Sequence, residues 1–268
     1  MLSKRALRGW GQMLVNQGVV ATFRTALTRI RQRTHPVQRE PDPEPERETW
    51  QAGSRHPFDL QYGVDTSGLI WGEDLPSGGR SDRWSTAYYG IAPSVFDTAM
   101  SRLPADLSRY TFIDIGSGKG RAVMLATRYP FAEIYGVELA PQLHAVAESN
   151  LRIFRGKTEV EAPVHLKCMD AVALPLPKQP LVLFFYHPFC KPVLKRVLRN
   201  LEASLRAHPR QAYVVYINTE LRDILNRATF LERISEETLE MSAEDRLADR
   251  IGSSVEECAI YKSVPSTP

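Results

Sequence analysis

One stretch constrains the fold more than any other. Thr111-Phe-Ile-Asp-Ile115 is an apolar run that reads as a strand, and it stops at Gly116-Ser-Gly-Lys-Gly120, three glycines at alternate positions. The residues from Arg121 to Arg128 then read as a helix, stopped by Tyr129-Pro130. A strand that turns through glycines into a helix is the opening unit of an open α/β sheet, where the loop at the strand's carboxyl end is a ligand site. Glycine suits that loop because it turns tightly and lets a ligand approach the backbone without a Cβ in the way.

The rest of the chain continues the alternation. Glu133–Glu138, Val164–Met169, Leu181–Tyr186 and Tyr213–Ile217 read as further strands, and Phe230–Leu239 and Glu257–Val264 as two late ones. Helices follow from Pro141 to about Phe154, and from Val193 to Leu205 with Leu194, Leu198, Leu201 and Leu205 on one face. Strands interleaved with helices imply a mostly parallel sheet covered on both faces, a doubly wound, Rossmann-like α/β fold.

Four segments follow from charge and composition. Residues 1–36 hold two short amphipathic runs (Leu7, Trp10, Leu14, then Phe23, Leu27, Ile30), and residues 1–39 carry eight Lys or Arg and no acid. This basic helical extension docks on the body or a second copy, lies on a membrane surface through residues 1–33, or is an organelle transit peptide. Residues 37–50 alternate proline with acid and read as an extended linker. Residues 51–104, with the Gly-, Asp- and aromatic-rich stretch Phe58 to Trp84, read as irregular and helical structure that covers the site. The α/β domain proper is 105–268.

The basic start and acidic linker offset each other, which leaves the remainder near neutral. That balance is not the footprint of a dedicated nucleic-acid binder, so the expected partner is a small molecule or a protein rather than nucleic acid. Three widely spaced cysteines suggest a reducing compartment, and no apolar run approaches the ~20 residues of a membrane span. A soluble, cytoplasmic protein is expected. No histidine, cysteine or carboxylate set has metal-ligand spacing, and the sequence is silent on oligomeric state.

Carboxylates at successive strand ends sharpen the glycine loop. Asp114 lies two residues before the first glycine, where it meets a ligand's positive charge. Glu138 closes the second strand, 18 residues after Gly120, in the place that suits ribose hydroxyls. Asp170 closes the third, where a carboxylate accepts from an exocyclic amine. A nicotinamide or flavin fingerprint would need its third glycine at 121, which is Arg, and a P-loop would need Lys-Ser/Thr after its last glycine.

In Phe112-Ile-Asp-Ile-Gly-Ser-Gly-Lys-Gly-Arg121, Gly136-Val-Glu138 and Cys168-Met-Asp170 the chain resembles class I S-adenosylmethionine-dependent methyltransferases, over about Tyr88 to Val264. The loop wording and Tyr88-Tyr-Gly-Ile-Ala-Pro-Ser94 are similar to the Dot1-type and related protein-lysine branch. The resemblance implies S-adenosyl-L-methionine as cofactor, held by Asp114, Gly116, Ser117, Gly118, Gly120, Glu138, Leu139, Asp170 and Ala171. It also implies a sheet of about seven strands whose last strand is antiparallel.

Methyl transfer needs alignment, exclusion of water, and a base if the nucleophile carries a proton. The fourth strand ends in Tyr186-His187-Pro188-Phe189, where amino-directed nucleic-acid enzymes of this family carry Asn/Asp-Pro-Pro-aromatic. His187 is therefore a catalytic candidate, as base or as acceptor-positioning group, with a strand-end hydrogen bond as its other reading. Tyr186 is the second candidate, with packing as its alternative. The expected activity is methyl transfer to an O or N nucleophile of a small molecule or protein side chain. A cofactor-binding module recruited by its basic N-terminal helices is the competing function.

Overall fold

The computed structural model describes residues 55–71, 74–75, 87–188, 190–248 and 254–264. The basic extension, the acidic linker, Trp84 and Phe189 lie outside the described residues. Seven strands form one sheet: β3 (Thr111–Ile115), β4 (Glu133–Glu138), β5 (Val164–Cys168), β6 (Leu181–Tyr186), β7 (Ala212–Ile217), β8 (Leu231–Glu240) and β9 (Val255–Ser263). Their order is β5-β4-β3-β6-β7-β9-β8. The first five are parallel, and β9 runs antiparallel between β7 and β8. This is the doubly wound sheet with an antiparallel last strand that the sequence implies.

Strand alternation splits the core in two. Phe112, Val182, Phe184, Val215 and Ile260 face one side, against α2 (Pro93–Met100) and α3 (Arg121–Ala126). Ile113, Leu183, Phe185, Val214 and Ala259 face the other, against α5 (Lys191–Ala207). Helix α4 (Pro141–Arg155) turns Leu143, Ala147, Leu151 and Phe154 inward. On α5 the four leucines read from the sequence are buried, while Lys191, Lys195, Arg199 and Arg206 lie outward on its exposed face.

The stretch expected to be irregular is partly ordered. A helix α1 (Pro57–Tyr62) and a small antiparallel ladder of β1 (Leu69–Ile70) with β2 (Tyr88–Tyr89) precede the main sheet. Six residues are too few for a helical period to show in sequence. Local chemistry sets α1 instead: the His56 ring accepts from the Phe58 amide at 3.1 Å, and Gly63 closes the helix with φ 69°. Tyr62 packs on Phe154, with ring centroids 4.7 Å apart.

Candidate active site

Strand order reverses between β3 and β6, and a cleft opens at their carboxyl ends, the place where open α/β sheets bind ligands. Register puts Asp114 beside Gly136 on one neighbour and Phe184 on the other. Its carboxyl lines the cleft, and burial together with the nearby Glu138 pushes its pKa up to about 8. A cation in the cleft would reverse that penalty, because opposite charge favours the ionised carboxyl.

The glycine loop is wound left-handed at all three glycines, with φ of 79° at Gly116, 53° at Gly118 and 88° at Gly120. The amides of Gly116 and Ser117 both donate to the Val137 carbonyl, at 2.8 and 3.0 Å, which ties the loop to β4. A Cβ at Gly116 would collide with the Pro188 side chain, and one at Gly118 with the Tyr88 ring. Glycine is required at these two positions by close approach as well as by backbone angle.

Glu138 knits the loop to the next strand end. Its Oε2 accepts from the Gly118 amide at 2.8 Å and its Oε1 from the Ala140 amide at 2.8 Å. Burial raises its pKa, with these amides acting in the opposite direction. Each oxygen can accept a further bond, which a vicinal diol would donate. Asp170 accepts from the Val172 amide at 2.9 Å and caps the single turn Ala171–Ala173.

Asp114, Gly116, Ser117, Gly118, Glu138, Leu139, Asp170, Ala171 and Tyr186 all line this one cleft. Gly120 does not; it caps α3, and a Cβ there would lie 3.3 Å from the Ala147 Cβ. His187 is also absent from the lining. Successive strand residues point to opposite faces, and His187 turns to the α5 side of the sheet. Its Nδ1 lies 2.9 Å from the Tyr216 hydroxyl and its Nε2 3.6 Å from Glu220. Burial drives its pKa down to about 4, so the ring is neutral at pH 7. Its φ of 41° is left-handed, an uncommon angle for a side chain of that size. The strand-end hydrogen bond, rather than a base facing the cleft, is what this geometry provides.

Tyr186 points the other way. Its hydroxyl donates to Glu256 Oε1 at 2.7 Å, across the sheet to β9. Glu256 is buried. Sequence spacing gives no hint of this partner, since 70 residues separate the two. Tyr88, Tyr89 and Arg121 also line the cleft and were not assigned to the cofactor from sequence. The available signals were the Tyr-Tyr-Gly segment and an arginine directly after the third glycine.

The residues present fit S-adenosylmethionine. The buried Asp114 carboxyl would oppose the cationic end, the Glu138 carboxyl would take the ribose diol, and a third acid, Asp170, lines the same cleft beyond the end of β5. Among the described residues no group of His, Cys, Asp or Glu is placed to hold a metal ion, and no helix is long and apolar enough to cross a membrane.

No protein-family model and no curated protein matches the chain. Solved structures do. An S-adenosylmethionine-dependent methyltransferase from Aquifex aeolicus is 14% identical over 63% of this chain and 89% of its own, with a TM-score of 0.46. A ribosomal protein L11 methylase from Lactobacillus delbrueckii subsp. bulgaricus is 14% identical over 63% and 78%, with a TM-score of 0.43. A candidate tRNA (m1A22) methyltransferase from Streptococcus pneumoniae is 14% identical over 64% and 70%, also with a TM-score of 0.43. At these identities and scores the likeness assigns no activity to this chain. It does correct one expectation: structures named for RNA targets are among the matches, so the exclusion of nucleic acid as a partner is withdrawn. Net charge was the ground for that exclusion, and an average over a chain does not report a local surface.

Proposed function

We propose that the protein is a methyltransferase that takes its methyl group from S-adenosyl-L-methionine and delivers it to a nitrogen or oxygen nucleophile. The observation that carries this reading is that the cleft at the β3/β6 switch point gathers Asp114 and the glycine loop from the end of β3, Glu138 from the end of β4 and Asp170 from just beyond β5. When bound, the sulfonium supplies an electrophilic methyl. Asp114 provides negative charge against the ligand's cationic end, Glu138 accepts from its ribose hydroxyls, and Asp170 accepts from its adenine amine.

On the acceptor side the working residue is Tyr186. Tyr186 lines the cleft while its hydroxyl donates to Glu256 Oε1, an arrangement that would set the phenol oxygen against the acceptor's N–H or O–H. The departing acceptor proton passes to the phenol oxygen as the phenol proton passes to the Glu256 carboxylate. His187 holds the turn after β6 through Tyr216, and so fixes Tyr186 and Pro188 at the cleft without touching the ligand. The narrower protein-lysine reading rests only on the wording of the loop and the Tyr88–Ser94 segment.

Transfer of label from methyl-labelled cofactor into a cell lysate, separated into protein, nucleic-acid and small-molecule fractions, tests the function and names the acceptor class. Label above the level of a Glu138→Ala control should enter one fraction. Equal label with both proteins in every fraction would overturn the reading.

A further inference from the structure

The β1–β2 ladder forms a wall of the cleft, with Tyr88 and Tyr89 in its lining. It is held to the glycine loop by Lys119 in that loop and Arg121 at the start of α3, two cations that differ in kind. Buried Asp59 and Asn150 pin the backbone of residues 65–67. Arg121 is buried, 4% exposed, within 3.9 Å of the fully buried Asp59. Its Nε donates to the Thr66 hydroxyl at 2.6 Å, its guanidinium also donates to the Gly90 and Ile91 carbonyls at 3.2 Å, and the Thr66 hydroxyl in turn donates to Asp59. A Cβ at Gly90 would lie 2.7 Å from the Thr66 carbonyl and 2.8 Å from Arg121 Cζ, so a glycine is needed there to admit the guanidinium. This anchor is permanent, because separating a buried ion pair leaves an uncompensated charge.

Lys119 is the weaker tie. Its Nζ donates to Asp65 Oδ1 at 2.9 Å and to the Ser67 carbonyl at 2.8 Å, and it lies 5.5 Å from the centroid of the Tyr88 ring. Lys119 itself is buried, but its partner Asp65 is 63% exposed, so water competes for this contact from the carboxylate's side. Tyr88 is tied into the same segment, its hydroxyl donating to the Thr66 carbonyl at 2.6 Å.

We propose that Lys119 is a positioning residue: a latch between the glycine loop and Asp65–Ser67 that holds the β1–β2 wall against the cleft and sets how long the cofactor stays. Arg121, Asp59 and Asn150 are the fixed end, and the β1–β2 ladder beyond Ser67 is the part that moves when the latch opens. The retention half rests on the cofactor reading above; the latch itself does not.

The test uses the full chain with Lys119→Met, Asp65→Asn and the pair together. Two quantities are read: amide hydrogen exchange at Leu69, Ile70, Tyr88 and Tyr89 without ligand, and the dissociation rate of S-adenosylhomocysteine. Each single variant should raise both by about two- to fivefold, the range for one ion pair that water reaches on its carboxylate side. The double variant should not exceed Lys119→Met, which also loses the bond to the Ser67 carbonyl. The melting temperature should stay close to wild type for Asp65→Asn, which changes an exposed side chain and carries the test alone if Lys119→Met fails to fold. Unchanged exchange in Asp65→Asn, or single effects that multiply in the double variant, would overturn the latch. Faster exchange with an unchanged dissociation rate would overturn its control of retention. A wild-type protein that binds no S-adenosylhomocysteine would overturn the cofactor reading instead, with the exchange data still deciding the latch.

Discussion

The hydroxyl of Tyr186 donates to Glu256 Oε1 at 2.7 Å, joining the end of β6 to the start of β9 beside the cleft. In the proposed reaction Tyr186 hands its proton to Glu256 as it takes one from the acceptor. It is therefore suited to a substrate group that carries a proton to be lost.

Tyr186→Phe should lower methyl transfer by about 10²-fold or more, the range for losing a proton-transfer group, and Glu256→Gln should do the same. Both should leave the affinity for S-adenosylhomocysteine within about twofold of wild type. Equal transfer rates in wild type and Tyr186→Phe, measured on whichever lysate fraction accepts label, would remove Tyr186 from the chemistry.

His187 gives a prediction about stability rather than rate. Its folded pKa of about 4 lies below the ordinary value of 6.5, so the unfolded chain takes up that proton first as pH falls. The stability contributed by the neutral, buried ring is complete above about pH 6.5 and is lost as pH drops towards 4, on the order of 3 kcal/mol in all. Urea unfolding of wild type and His187→Asn across pH 4–7 should show a shallower pH slope in the variant. Transfer by the wild type should show no inflection near pH 6.5 from this group. Identical slopes in the two proteins would mean the ring is not buried neutral.

Asp114 should make ligand binding pH-dependent. Burial and Glu138 hold its pKa near 8 in the free protein, so it is mostly protonated at pH 7, while a cationic ligand selects the ionised form. Affinity for S-adenosylmethionine should rise from pH 6 to about 7.5, below the range where the ligand's own α-amino group loses its charge, and binding at pH 7 should release most of one proton. Calorimetry in buffers of differing ionisation enthalpy measures that release directly. Asp114→Asn should abolish it, and release unchanged in that variant would place the proton elsewhere.

The parts of the fold that were legible in sequence are those with an internal period. The strands β3, β4 and β6 fall on the apolar runs at Thr111–Ile115, Glu133–Glu138 and Leu181–Tyr186, and α5 on its leucine face. Helices α1 and α2 were not legible, because six and eight residues carry too little pattern against the aromatic packing that holds them. The acids at the ends of β3, β4 and beyond β5 could be read because each sits at a fixed offset from a strand. The side-chain directions of Tyr186 and His187 could not. Neighbours in sequence, they part to opposite faces of the sheet, and the partners that decide their roles, Glu256 and Tyr216, come from strands far along the chain. The Lys119–Asp65 contact spans 54 residues and left no mark in the local sequence beyond a lysine inside a glycine loop.

The claim that the β3/β6 cleft is a cofactor site is tested most directly by titrating S-adenosylhomocysteine into the full-length protein and into Glu138→Ala by calorimetry. Glu138 braces the loop at Gly118, lines the cleft and is the residue proposed to take the ribose hydroxyls. The wild type should bind with a stoichiometry of one, and Glu138→Ala should bind about 1–3 kcal/mol more weakly, the range for hydrogen bonds to a charged group. A folded wild type that gives no heat of binding, or a Glu138→Ala protein that binds as tightly as wild type, would contradict it.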